Sequence, residues 1–69
     1  MRGLIKSFDH RTQTGIILFG VDIEFTFCAA EVKGAVILQR GDEVCFDVRD
    51  RGMGEEAFDV QLAWNVARG

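Results

Sequence analysis

The sequence predicts a small all-β barrel, and three observations lead to that prediction. Short runs rich in Val, Ile and Phe alternate with polar residues, which is the period of a strand with one buried face. Glycine and polar residues separate five such runs, and no proline interrupts them. In a chain of 69 residues, five strands cannot each bury a face in an open sheet, so we expect one closed domain over residues 1–69.

The first three strands are expected in the N-terminal part of the chain. Their predicted ranges are Gly3–Phe8, Gly15–Phe19 and Ile23–Phe27. Polar residues 9–13 form the first turn, and the second turn contains Gly20 and Asp22. The third strand has the cleanest alternation, because Phe25 and Phe27 face one side while the residues between them are polar.

The rest of the chain adds a helical turn and two strands. Alanine and glutamate in residues 28–32 suit a single helical turn, and residues 36–38 form a short apolar connector. After the turn signal "QRGDEV", the fourth strand places on one face Val44, Phe46 and Val48. A fifth strand, from about residue 56 to residue 62, follows the glycine-rich loop "DRGMGEE" and places on one face Phe58, Val60 and Leu62.

The predicted core collects the inward positions of these strands. It consists of Ile5, Ile17, Phe19, Phe25, Phe27, Val44, Phe46, Val48 and Val60.

Composition narrows the class of protein. The formal charge of −3 argues against a partner held mainly by bulk attraction to phosphate, but it leaves room for a local basic patch. Cys28 and Cys45 have neither the spacing of metal ligands nor the pattern of a secreted disulfide framework, so we expect reduced thiols. The pattern of a signal peptide is absent, as is any apolar run long enough to span a membrane. We therefore expect a cytoplasmic protein with no membrane partner.

The sequence offers no arrangement suited to catalysis. His10 is the only histidine, and no nucleophile with a third orienting group accompanies it. The carboxylates of Glu55 and Glu56 are adjacent rather than opposed, as are those of Asp42 and Glu43. The "GMG" segment lacks the lysine and the helix of a phosphate loop. We expect no enzymatic activity, cofactor, metal or small-molecule substrate.

Two local features each allow two interpretations. Lys6, His10 and Arg11 cluster near the end of the first strand, where they form either a small phosphate contact or a solvated turn. Trp64 follows the fifth strand and suits an end plug or an interface better than a platform for base stacking.

The order of the segments points to a family. The chain opens with "GLIKSF", has a glycine in an Ile-rich second strand, and continues with "FTF", "LQRGDEVCFDV" and "GEEAFDV". This order resembles the bacterial cold-shock domain, without gaps from Gly3 to about Val32 and again from Leu38 to Val60. The resemblance implies a five-stranded antiparallel barrel of the OB-fold type that binds single-stranded RNA or DNA. The matching frame residues are Lys6, Phe8, Gly15, Ile17, Gly41, Val44, Phe46, Gly54, Ala57 and Val60.

The chain departs from the family at the binding residues. The family stacks bases on rings, and at the ring and histidine positions this chain has Ser7, Thr14, Ile16, Thr26, Cys28 and Ala29. Thr12 and Gln13 stand where the family has a lysine and a glycine. The resemblance leaves Lys6 and Phe8 as retained binding residues. Together with the adjacent His10 and Arg11, they form the predicted nucleic-acid-binding set.

The substitutions predict weak binding. Stacking of a base on an aromatic side chain is worth about 1–3 kcal/mol. The loss of three or four rings would move a micromolar affinity to about the millimolar range. "RTQTGIILFG" therefore keeps the glycine and the inward Ile17 that a barrel needs, but it lacks the rings that a nucleic acid needs.

The six substituted positions would form an uncharged strip on the outside of the barrel. Three interpretations remain open for it. The strip is an interface for a protein partner or a second copy of the chain, a set of ordinary strand residues with no partner, or an atypical surface for nucleic acid.

Overall fold

A computed structural model describes residues 1–34, 37–50, 52 and 54–63. Some sequence predictions fall on other positions. Val36 in the apolar connector, Arg51 and Met53 in the glycine-rich loop, and Trp64 lie outside the described residues.

Five strands form a closed barrel, as the sequence predicts. Their ranges are Arg2–Asp9 (β1), Thr14–Phe19 (β2), Ile23–Cys28 (β3), Glu43–Asp50 (β4) and Glu55–Leu62 (β5). Each strand begins or ends within a residue or two of its predicted bounds. The predicted helical turn is a short 3₁₀ helix over Ala29–Glu31, between β3 and β4.

The order of strands around the barrel is β1-β2-β3-β5-β4. The pairs β1–β2, β2–β3, β1–β4 and β4–β5 are antiparallel, whereas β3 and β5 pair in parallel at Thr26 and Glu56. A second parallel contact joins Val32 to Val60 just beyond β3. These parallel contacts close the barrel, so the fold is all-β and consistent with an OB-fold-like barrel.

The core lies inside the barrel and contains seven of the nine predicted residues. The prediction was wrong for Phe19 and Val48, which are only partly buried and pack against the core from its margin. Among the described residues, three buried hydrophobic side chains were not predicted: Leu38, Ala57 and Ala63. Leu38 comes from the connector before β4, so a loop side chain covers part of the interior.

A bulge in β5 changes which side chains face inward. Phe46 on β4 lies opposite two residues of β5, because Cys45 pairs with Gln61 and Asp47 pairs with Phe58. Asp59, one of these two residues, has a left-handed φ of 53°. Ala57 and Val60 are therefore both buried. The predicted face of Phe58, Val60 and Leu62 was wrong, because the strand does not alternate regularly at that point.

A second bulge, in β1, sets the position of Phe8. Ile5 pairs with Ile17 and Ser7 pairs with Ile16, so Lys6 is the extra residue. After the bulge, Ser7 is exposed while Phe8 is partly buried against the core.

Candidate nucleic-acid interface

The strand register brings the substituted family positions together on the outside of the barrel. Ser7 on β1 pairs with Ile16 on β2, which pairs with Thr26 on β3. Thr14 and Cys28 form the neighbouring pair. We call these five residues the uncharged face. All of them are exposed except Ile16, which is partly buried.

Ala29, the sixth predicted position, is the first residue of the 3₁₀ helix that follows β3. It is partly buried and lies near the end of the uncharged face, next to Cys28.

The ring of Phe8 is held by the core rather than presented on the uncharged face. Phe8 stacks on Phe27, with ring centroids 5.9 Å apart and an interplanar angle of 22°. The His10 ring meets Phe8 edge-on, with centroids 4.9 Å apart. Gly15, which is the partner of Phe8 across the strand pair, makes this arrangement possible. A Cβ on Gly15 would lie 2.6 Å from the Phe27 ring and 2.9 Å from that of Phe8.

Phe58 is the other ring that faces outward near this surface. It lies on β5, opposite Asp47 of β4, and the Arg49 guanidinium lies 4.9 Å from its centroid. Phe58 lies two residues along β5 from Glu56, which pairs with Thr26, so its ring borders the uncharged face but is not part of it. Among residues 1–34, 37–50, 52 and 54–63, no ring stands within the uncharged face itself.

The β1–β2 turn holds His10 and Arg11 at one end of the uncharged face. The Asp9 carboxylate accepts a hydrogen bond of 2.8 Å from the backbone N–H of Arg11. The backbone N–H of Gln13 donates to the Asp9 carbonyl at 2.8 Å, and Gln13 takes a left-handed φ of 59°. The N–H of Ala29 then donates to the Gln13 carbonyl at 2.8 Å, which ties the turn to the 3₁₀ helix.

Lys6, predicted as a nucleic-acid contact, is already paired. Its ammonium group forms a hydrogen-bonded ion pair with the Glu24 carboxylate on the outer surface. An approaching phosphate would have to compete with this carboxylate for Lys6.

Arg49 is also held by carboxylates. It bonds to Glu56 at 3.0 Å and to Glu31 at 2.7 Å, and so joins β4 to β5 and to the 3₁₀ helix. The hydrogen bond to Glu56 raises the pKa of Arg49 above its usual value, desolvation opposes the rise, and the hydrogen bond to Glu31 adds to it. The guanidinium therefore stays charged but has its charge neutralised locally.

Arg11 is the cation that remains available beside the uncharged face. Its guanidinium makes no ion pair with any residue in the part of the chain that the structure describes. The sequence-predicted set of Lys6, Phe8, His10 and Arg11 thus separates into one paired cation, one core-held ring, and two exposed turn residues.

Two concave sites meet at Phe8 and His10. The larger, about 740 Å³ in volume, extends over the uncharged face and is lined also by Arg11, Thr14 and Ile16. The smaller, about 200 Å³, lies toward the 3₁₀ helix and the connector before β4. Its remaining lining residues are Gln13, Ala29, Val32, Gly34, Ile37 and Leu38.

Sequence reasoning identified only part of the lining of the smaller cavity. Phe8, His10 and Ala29 were among the predicted site residues. Val32, Ile37 and Leu38 were not, because they come from irregular segments, where no periodicity marks the direction of a side chain.

The larger groove can contact a polar chain in three ways. The hydroxyls of Ser7, Thr14 and Thr26 both donate and accept hydrogen bonds, as base edges require. His10 offers the edge of a ring, and Arg11 offers a cation for phosphate.

No group of three or more His, Cys, Asp or Glu side chains capable of holding a metal ion occurs among the described residues. Nor does the described part of the chain contain a helix long and apolar enough to cross a membrane.

Compared with protein-family models and with curated proteins, the chain matches none. The cold-shock resemblance therefore depends on the residues quoted above.

Proposed function

We propose that this protein is a cold-shock-type barrel of the cytoplasm that binds single-stranded RNA or DNA weakly. The observation that carries the proposal is the groove of about 740 Å³ over the uncharged face, which has Phe8, His10 and Arg11 at one end. The groove lies on β1, β2 and β3, where the resembled family binds its ligand.

The contacts available in the groove explain why the affinity is low. One base can pack against the edge of the Phe8–His10 pair, and Arg11 can contact one phosphate. Ile16 and the surrounding hydroxyls supply shape and hydrogen bonds but no stacking surface. Because Lys6 and Arg49 are neutralised by carboxylates, few counterions are released when a strand binds.

A titration at low salt tests the proposal. We expect fluorescent heptathymidine, and a pyrimidine-rich RNA of similar length, to show no saturation below roughly 100 µM, given the lost stacking. Chemical shifts of Phe8, His10 and Arg11 should move at higher concentrations of either strand. Saturation in the low micromolar range would contradict our account of the groove, and the absence of any shift at millimolar oligonucleotide would contradict nucleic-acid binding itself.

Restoring the rings gives a positive test. The double variant Thr14→Phe/Ile16→Phe places two rings on β2 within the groove, and each should tighten binding roughly tenfold, which is the lower part of the range for one stacked base. Leu18→Phe is the matched control, because it adds a ring to the same strand outside the groove. An equal gain from the control would show that the groove is not the binding site.

A second candidate function is a protein interface on the same face. The register places five uncharged side chains side by side on three strands, and two cations of the surrounding surface, Lys6 and Arg49, are already paired. Such a surface suits a protein partner or a second copy of the chain. Ile16→Lys would place a charge at its centre and abolish self-association or partner capture through this face. A strictly monomeric protein that captures no partner would count against it.

A further inference from the structure

A second groove lies on the outer surface, at the opposite end of β2 from the β1–β2 turn. It has a volume of about 490 Å³, with Leu4 and Leu18 in its floor. Val21 and Asp22 line it from the β2–β3 turn, and Arg40 lines it from the turn before β4. We call it the Leu18 groove.

The strand register separates the two turns that border the Leu18 groove. Leu18 on β2 pairs with Leu4 on β1, and Leu4 pairs with Glu43 at the start of β4. The backbone N–H of Gly41 donates to the Ile5 carbonyl at 2.8 Å, which fixes the turn containing Arg40 against β1. The β2–β3 turn lies on the other side of β2. Asp22 and Arg40 therefore border the groove from opposite sides.

Two of the apolar side chains that line the Leu18 groove are exposed. Val21 is 94% exposed at the tip of its turn, and Leu4 is 47% exposed on β1. Isolated exposed apolar residues are common, but here a projecting side chain stands next to an apolar concave site. The molecule thus carries both a projection and a recess that could receive it.

The charges on the two borders of the groove have opposite signs, so they can pair with those of a second copy of the chain. Lys6 and Glu24 also line it, but they neutralise each other. Asp22 and Arg40 form no ion pair with any of the residues that the structure describes. When two copies meet about a two-fold axis that runs along the groove between its borders, each border of one groove faces the opposite border of the other. Two attractive contacts, Asp22 to Arg40 and Arg40 to Asp22, then form together.

We propose that a second copy of this chain occupies the Leu18 groove, which makes the protein a symmetric homodimer. Val21 of each copy inserts over Leu4 and Leu18 of the other, and Asp22 pairs with Arg40 across the interface. A barrel of 69 residues has a small core, so apolar burial between copies adds to its stability. The uncharged face is not part of this contact, and the inference stands whether or not that face binds nucleic acid.

Charge reversal with mixing gives a decisive experiment. Sedimentation equilibrium would be measured on the wild type, on Asp22→Lys, on Arg40→Glu, and on an equimolar mixture of the two variants. We expect a concentration-dependent dimer for the wild type. For each variant alone, the dimer Kd should be at least about tenfold higher, because two symmetric contacts become repulsive. In the mixture, the introduced lysine of one variant faces the introduced glutamate of the other, while the remaining contact is native. Dimerisation should therefore return to the wild-type level.

Recovery in the mixture also excludes misfolding as the cause of dissociation, because an unfolded variant could not complement the other. Asp47→Lys and Arg11→Glu are matched controls with the same charge changes outside the Leu18 groove, and both should dimerise like the wild type. Val21→Ser should weaken the dimer without changing any charge.

Several results would overturn the proposal. A wild type that stays monomeric at every concentration would do so, as would variants that dimerise as well as the wild type or a mixture that fails to recover. Dissociation by Ile16→Lys but not by Asp22→Lys would assign the dimer to the uncharged face instead. A monomer in which heptathymidine shifts the signals of Leu4 and Leu18 would assign the groove to nucleic acid.

Discussion

Gly15 faces Phe8 across the β1–β2 pair, and its lack of a side chain lets Phe8 stack on Phe27. This relationship links the core of the barrel to its candidate binding site. The same ring that packs on Phe27 inside also contacts His10 at the junction of the two concave sites.

Gly15→Ala should destabilise the protein by about 1–3 kcal/mol, which is typical of overpacking in a core. The new Cβ would lie 2.6 Å from ring atoms of Phe27, so the stacked rings would have to move. Urea unfolding would measure the change. Gly20→Asn is the control, because Gly20 has a left-handed φ that asparagine tolerates and no heavy atom near the added Cβ. Equal losses for both variants would contradict the packing explanation.

The β5 bulge predicts a difference between two substitutions at Asp59. Both Asp59→Asn and Asp59→Val remove the exposed ion pair with Lys33, so the charge effect cancels in the comparison. At a φ of 53°, valine should be about 1–2 kcal/mol less stable than asparagine, because a β-branched side chain disfavours the left-handed region. Urea unfolding of the two variants would check this. If valine matched asparagine, the left-handed conformation at Asp59 would not constrain the residue type in the bulge.

The ion pairs of Arg49 should stabilise the folded protein to an extent that depends on the salt concentration. Arg49→Gln removes ion pairs to Glu31 and Glu56 and leaves the two carboxylates close to each other. The urea midpoint should fall at low salt, and the difference from the wild type should shrink as salt screens the repulsion. Arg49 stays charged throughout the working pH range, since Glu56 raises its pKa further. Arg11→Gln, which breaks no ion pair among the described residues, is the control.

Arg11 should account for most of the salt dependence of nucleic-acid binding. Because Lys6 and Arg49 are occupied by carboxylates, the affinity for heptathymidine should change with salt as expected for about one phosphate contact. Arg11→Gln should remove most of this dependence. Lys6→Gln, as a matched loss of charge, should have the smaller effect. Chemical-shift titrations at two salt concentrations would measure both. A steep salt dependence that survives Arg11→Gln would point to a basic surface elsewhere.

The alternation of the sequence was sufficient to predict five strands and most of the core. Ile5, Ile17, Val44 and Phe46 were expected inside and are buried, because a regular strand sends alternate side chains to opposite faces. The five residues of the uncharged face were likewise expected to share one surface, and the register of β1, β2 and β3 does place them together.

Alternation was insufficient wherever the backbone departs from a regular strand. The left-handed Asp59 lets β5 bury Ala57 and Val60 three residues apart, a spacing that a period of two cannot give. Leu38 enters the core from an irregular connector, where the direction of a side chain depends on distant contacts.

By itself, the sequence determined the class of fold and the number of strands, because these depend on local periodicity and residue type. Only the tertiary structure decided that Phe8 packs inward, that Glu24 and Glu31 neutralise nearby cations, and that Asp22 and Arg40 border one groove. These relationships join residues far apart in the chain. They depend on barrel closure and on bulges that shift the register by one residue, which no local pattern specifies.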